Sequence, residues 1–268
     1  DISGEIMTSI RHLNLDALIV VGGDGTLHIA HEMAALGVPV VGVPKTIDND
    51  LGDTDFTFGF DTALVTATEA LDKLHTTAEA HHRVMVLELM GRDAGFITLH
   101  AGLAGGADVI LIPEIPFRRD SITAKIRSRV ERGTTFSIIA AAEGARPVDG
   151  RQEFSRLGDA VFVPRLGGMG QMVADMVSQD CGVETRVTVL GHLQRGGSPS
   201  AFDRVLATRF GSAAVHAAAE GKFDQMVALR GDAVRTVPLT EALAKPKRVD
   251  LQGDLVRSAR DLGISLGD

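Results

Sequence analysis

The run Pro44-Lys45-Thr46-Ile47-Asp48-Asn49-Asp50 sets two carboxylates on either side of one asparagine, beside a lysine and a threonine. Phosphoryl transfer needs such a set: a base must reach the attacking hydroxyl while polar and cationic groups offset charge on the transferred group. On this reading Asp48 is the base, Asp50 supports the metal region, and Lys45 or Thr46 stabilises phosphate. An Asx-rich capping turn would use the same residues. Upstream, Gly22-Gly23-Asp24-Gly25-Thr26 places adjacent glycines where backbone amides can approach phosphate oxygens at a helix N-terminus. Asp24 would then meet Mg²⁺ carried by a nucleotide. The run matches neither the dinucleotide G-x-G-x-x-G pattern nor a P-loop with its lysine. A tight βα turn capped by Asp24 and Thr26 accounts for it equally well.

Further along, Met90-Gly91-Arg92-Asp93 follows a strand that itself begins after Arg83. Gly91 admits a ligand against the backbone, and Arg92 brings a five-donor guanidinium suited to phosphate. Glu143-Gly144 offers a carboxylate for sugar hydroxyls. Near the next strand, Arg186, His192 and Arg195 can assemble a dianion site, with surface ion pairing as the bland alternative. His28 with His31, and His81 with His82, lack a nearby cysteine or carboxylate array, so hydrogen-bonded or solvated histidines are expected rather than a zinc site. Cys181, the single cysteine, excludes an intrachain disulfide and suits a reducing compartment.

The elements that must position these residues alternate. Apolar β-branched runs at Ala17 to Val21, Val38 to Val43, Val84 to Leu89, Asp108 to Ile112, Thr134 to Ala140 and Arg186 to Leu190 predict strands. Helical segments are predicted from near Leu27, at Thr62 to Ala80, Ala94 to Leu103, Ile122 to Val130, Met169 to Val177 and Phe202 to Ala219. This βαβ rhythm specifies an α/β protein with largely parallel sheets covered on both faces, whose ligands lie where strand C-terminal ends open into loops. The polar stretch Gly144 to Arg165 reads as an insertion or lid-like connection.

Composition narrows the function classes. Of 268 residues, 44% are hydrophobic and 23% charged, the usage of a globular chain rather than a disordered one. Acidic residues outnumber basic ones by 35 to 27, a balance that argues against counterion-release binding to nucleic acid. Phenylalanine is the only aromatic residue of the Phe, Trp, Tyr class, so stacking on bases is not expected. No run has the apolar length of a membrane span and no signal-peptide core opens the chain, which makes the cytoplasm the expected location.

Taken in order, GGDGT, PKTIDND, MGRDAG, AEG and ETRVTVLGHLQRGG resemble the 6-phosphofructokinase family in its bacterial-type form, over about Leu15 to Ala218. The resemblance implies two Rossmann-like three-layer domains with mostly parallel sheets, the N-terminal one incomplete. It assigns residues 1–60 to the remainder of a nucleotide-binding domain, 61–187 mainly to a sugar-phosphate domain, and 188–268 to a region returning toward the first. It implies transfer of a phosphoryl group to the 1-hydroxyl of fructose 6-phosphate, with Asp48 as base and Asp24 near Mg²⁺. Gly23, Asp24, Gly25, Thr26 and Lys45 would face the phosphoryl donor. Thr46, Asp50, Met90, Gly91, Arg92 and Glu143 would hold the sugar. His192 and Arg195 would bind its 6-phosphate, joined by Arg83 and Arg186 from a neighbouring subunit of a homodimer or homotetramer.

Family members that use ATP resemble this chain at Gly25, and pyrophosphate users resemble it at Lys45. The mixture is similar to an ATP-using branch related in sequence to the pyrophosphate enzymes, so ATP is the expected donor. The family's first glycine-rich turn and its Arg-bearing phosphate region have no counterpart before Asp16, and the segment between Glu143 and Arg186 is longer than in compact bacterial members. Competing expectations are a pyrophosphate-dependent fructose-6-phosphate 1-phosphotransferase, a truncated noncatalytic nucleotide or sugar-phosphate subunit and, from the GGDG run alone, an NAD or lipid kinase.

Overall fold

The computed structural model describes residues 3–148, 150, 154–156 and 165–268. In chain order the elements are α1 (Ser3–His12), β1 (Leu18–Gly22), α2 (Asp24–Ala35), β2 (Val40–Thr46), β3 (Phe58–Gly59), α3 (Phe60–His81), β4 (Val84–Leu89), α4 (Phe96–Ala104), β5 (Val109–Leu111) and α5 (Arg119–Glu131). There follow β6 (Ser137–Ala142), β7 (Phe154–Arg156), β8 (Arg165–Leu166), α6 (Met169–Cys181), β9 (Thr185–Val189) and a 3-10 turn (Gly191–Arg195). The chain ends with α7 (Ala201–Ala219), β10 (Gln225–Arg230), β11 (Ala233–Pro238), α8 (Leu239–Ala244) and α9 (Asp254–Asp261). Two units divide these elements: one takes the chain up to Asp61 and then Pro199–Lys247, the other takes Thr62–Ser198 and Arg248–Asp268. Among the described residues no helix is long and apolar enough to cross a membrane.

In the first unit the sheet order is β1-β2-β10-β11, with β3 paired to β2. β1 and β2 are parallel and register Leu18 with Val40 through Gly22 with Pro44. Period-two alternation makes β2 the middle of the unit. Val40 joins Leu27 of α2, Met226, Ala228 and Leu239 in one cluster, while Val41 and Val43 face Leu206 and Phe210 of α7 in another. Burying both faces explains why this strand reads as a continuous apolar run. β2 continues past the expected end at Val43, because Lys45 and Thr46 pair with Phe58 and Gly59 of β3. The sequence reading also stopped short of α1 and of the antiparallel hairpin β10–β11, which closes through Gly231 at φ 57°.

The second unit carries a parallel sheet of order β5-β6-β4-β9. Every residue of β4 and of β6 is buried. On one face Val84, Val86, Ile139 and Ala141 meet Ile122 and Ile126 of α5 and Val173 and Val177 of α6. On the other, α4 comes so close that a Cβ on Gly102 would lie 2.7 Å from the Ile110 side chain. α3 buries Ala63, Ala67, Leu71, Leu74 and Ala78, a stripe at helical spacing. The C-terminal tail belongs here rather than with the first unit: Ser265 bridges Val109 in parallel fashion, and Arg118 N–H donates to the Gly267 carbonyl at 2.6 Å. The expected lid-like stretch from Gly144 to Arg165 falls largely outside the described residues. Where it is described, it includes the antiparallel ribbon β7–β8.

Candidate active site

The predicted residues divide between the units. Gly23, Asp24, Gly25, Thr26, Lys45, Thr46, Asp48 and Asp50 lie in the first, and Arg83, Met90, Gly91, Arg92, Glu143, Arg186, His192 and Arg195 in the second.

In the first unit, the parallel pairing of Gly22 with Pro44 brings both acidic turns to the same end of the sheet. Packing excludes a side chain at Gly22 and crowds one at Gly23. A Cβ on Gly22 would sit 2.5 Å from that of Thr26, and one on Gly23 would sit 3.3 Å from that of Thr46. Gly23 itself is the N-cap of α2, so no side chain occupies that position, and the expectation of a turn capped by Asp24 and Thr26 is replaced by a glycine-capped helix start. A helix N-terminus opened in this way favours anions through its amides and its dipole. Asp24 lies in the first helical turn, half exposed, with its Oδ1 3.4 Å from His28 Nδ1. A Cβ built on Gly25 meets nothing within 4 Å.

The second turn is organised around Thr46. Its hydroxyl donates to Asp48 Oδ2 at 3.3 Å and accepts from the Asp48 amide at 3.2 Å, which orients that carboxylate. Asn49 adopts a left-handed φ of 52° and is buried; its Oδ1 accepts from Thr57 N–H at 3.0 Å. Thr57 in turn donates its hydroxyl to the Thr46 carbonyl at 2.8 Å. Burial, with the neighbouring Asp48 charge adding to it, pushes the Asp50 carboxyl up to about 6. Its Oδ1 is buried without a hydrogen-bond partner among the described residues.

In the second unit three chain segments converge at the C-terminal ends of β4, β6 and β9. Glu143 N–H donates to the Leu89 carbonyl at 2.8 Å, and Gly144 N–H to the Gly91 carbonyl at 3.0 Å. Gly144 has no alternative, because a Cβ there would fall 1.9 Å from the Arg92 carbonyl oxygen. Gly91 takes φ 151°, in the range where glycine is favoured. The turn bearing His192 and Arg195 is tied to this cluster by buried Gln194, whose Oε1 accepts from Met90 N–H at 3.2 Å and whose Nε2 donates to the Gly191 carbonyl at 3.1 Å. Met90, Gly91, Arg92, Glu143, His192 and Arg195 are therefore carried by adjoining turns. Gln194 escaped sequence reading because a glutamine between exposed residues carries no burial signal.

Arg83 and Arg186 stand at the opposite end of the same sheet. Both pair with Glu184, Arg83 at 2.8 Å through Nε. The Arg83 hydrogen bond holds the Glu184 carboxyl below its ordinary range. Parallel pairing sets Met85 opposite Arg186, near the start of β9, while His192 lies in the 3-10 turn beyond its far end, with about 10 Å of strand from Arg186 to Val189 between them. Arg186 therefore stands at one end of β9, and His192 and Arg195 in the turn beyond the other.

Two doubly wound α/β units with glycine-bearing, charged turns beyond their strand C-termini define a class of protein that binds ligands at those loops. The phosphofructokinase family profile matches residues 1–218, and the chain belongs to that family. It is 57% identical over 260 residues to the ATP-dependent 6-phosphofructokinase of Chloroflexus aurantiacus, covering 97% of this chain and 71% of that protein. It is also 54% identical over 239 residues to the pyrophosphate–fructose 6-phosphate 1-phosphotransferase of Amycolatopsis mediterranei, covering 89% of this chain and 70% of that one. Among solved structures, the pyrophosphate-dependent phosphofructokinase of Marinobacter aquaeolei superposes with a TM-score of 0.80 at 26% identity, over 99% of this chain and 72% of that chain.

Proposed function

We propose that the protein transfers a phosphoryl group from ATP to the 1-hydroxyl of fructose 6-phosphate, in the cytoplasm, as an oligomer of identical chains. The observation that carries the reading is the Thr46–Asp48 pair: a carboxylate aimed by its own turn, beside a glycine-capped helix start suited to phosphate. Asp48 accepts the proton of the attacking hydroxyl, and Thr46 and Asp50 shape the turn that meets the sugar. In the second unit Met90, Gly91, Arg92 and Glu143 hold the sugar, while His192 and Arg195 take its 6-phosphate. Arg83 and Arg186, at the opposite end of the sheet from that cluster, serve the phosphate bound by a neighbouring copy.

Gly23, Asp24, Gly25, Thr26 and Lys45 serve the donor. Among the described residues no group of three metal-ligating side chains forms a cage. Mg²⁺ arriving with phosphates needs only one or two carboxylates. Half-exposed Asp24, together with an Asp50 Oδ1 that lacks a partner among the described residues, suits such an ion, and Asp24 would hold it. Bound there, Mg²⁺ would neutralise charge on the donor phosphates.

Relatives of nearly equal identity carry different donors in their names, so similarity leaves the donor to local structure. Gly25, beside which a Cβ would meet nothing within 4 Å, leaves room for the bulk of a nucleotide. The test is phosphorylation of fructose 6-phosphate with ATP and with pyrophosphate in separate reactions. Product with ATP, and a kcat lowered by about 10²- to 10⁴-fold in Asp48→Asn, is the expected result. Product only with pyrophosphate would replace the donor, and an unchanged rate in Asp48→Asn would remove the base.

A further inference from the structure

The acidic turn is held by a side chain far from it in sequence. After α8 the chain passes back along the loop 46–57, where Lys247 N–H donates to the Asp50 carbonyl at 2.7 Å. The Lys247 ammonium donates to Asn49 Oδ1 at 3.1 Å, to the Thr54 carbonyl at 2.9 Å and to the Asp55 carbonyl at 3.0 Å. An ammonium has three donors to direct to such acceptors from one compact centre. Asn49 is also the residue whose Oδ1 fixes Thr57, and Thr57 closes the loop onto the Thr46 carbonyl. The same segment meets the loop a second time: Gly52 N–H donates to the Ala242 carbonyl at 3.1 Å, and a Cβ on Gly52 would lie 2.7 Å from that oxygen.

We propose that Lys247 is a positioning residue for phosphoryl transfer, its ammonium joining Asn49, Thr54 and Asp55 so that the loop presents Asp48 to the reacting hydroxyl. The proposal rests on the reading of Asp48 as the base. Lys247 touches neither reacting partner in this account; it acts through the loop. Burial draws the ammonium down to about 8, the nearby Asp55 and Asp50 charges work against that fall, and Arg230 adds to it. Lysine is required rather than a generic cation. A planar guanidinium directs its donors in a fixed fork and cannot reproduce three bonds from one compact centre.

The experiment compares Lys247→Arg, Asp48→Asn and Lys247→Cys, the last in a Cys181→Ser background, before and after alkylation with 2-bromoethylamine. Alkylation rebuilds a lysine-like side chain on the cysteine sulfur. Folding is checked by circular dichroism and by binding of fructose 6-phosphate. The expected result is a folded Lys247→Arg protein whose kcat falls about tenfold or more with little change in the KM for fructose 6-phosphate, and a Lys247→Cys protein whose kcat recovers on alkylation. Should Lys247→Arg fail to fold, the alkylated and unalkylated Lys247→Cys proteins carry the comparison. A wild-type kcat in Lys247→Arg overturns the proposal, as does a kcat in Lys247→Cys that alkylation leaves unchanged. An active Asp48→Asn protein defeats the base assignment instead, which separates the two failures.

Discussion

At the scale of single residues, the acidic turn shows two aspartates with different surroundings. Asp48 receives a hydroxyl from Thr46, whereas Asp50 is drawn into the protein beside a like charge. Burial and that charge raise the Asp50 carboxyl from 3.8 to about 6, so its ionisation opposes folding. A raised carboxyl contributes stability that is complete below its unfolded value and lost as pH rises through its folded value. We expect Asp50→Asn to be more thermostable than the parent protein at pH 7.5. It should also lose part of the parent's decline in stability between about pH 4 and about pH 6. Melting temperatures measured across that range decide it: parallel curves for the two proteins would refute the account. Activity should fall in the same variant, because the turn then lacks one of its two carboxylates.

At the scale of elements, the turns proposed to hold the sugar depend on close backbone approaches. β4 and β6 deliver their last residues side by side, and Gly144 lets the two turns touch. Glu88, near the end of β4, is buried and accepts from Gly170 N–H at 2.7 Å at the start of α6, so a helix dipole is matched by a carboxylate. Gly144→Ala forces a methyl group into the Arg92 carbonyl, and one of the two turns must move. On the proposed assignment of donor and sugar to separate units, the expected outcome is a KM for fructose 6-phosphate raised about tenfold or more, with the KM for the donor unchanged. Steady-state kinetics with each substrate varied in turn checks this. Equal changes in both constants would mean a general loss of structure instead.

At the scale of the whole molecule, each unit has its own sheet and core, and Arg83 and Arg186 stand at the opposite end of their sheet from the turns carrying Met90 and His192. If those arginines serve a neighbouring copy, Asp48→Asn and Arg186→Ala damage different chains of each site. Each variant alone should be nearly inactive. Mixed oligomers of the two should regain activity, because some sites then combine an intact Asp48 from one chain with an intact Arg186 from the other. Mass measurement under native conditions establishes that mixing has occurred. Mixed oligomers without recovered activity would place Arg186 outside the shared site.

Local structure was legible in the residues alone. The strand Val84–Leu89 was read with both its ends in place, because a buried parallel strand is a continuous apolar run bounded by Arg83 and by Met90-Gly91. The turns carrying Asp24, Asp48, Arg92 and Glu143 were legible for a similar reason: glycine and short polar residues gather where a chain leaves a sheet. Those preferences act over a few neighbouring residues. The C-terminal tail beside β5, the separation of Arg186 from His192, and the grip of Lys247 on Asn49 depend on strand pairing and burial between distant segments. Only tertiary packing decides such contacts, since a hydrogen bond across 198 residues of chain gains its worth when the intervening segments have already folded around it.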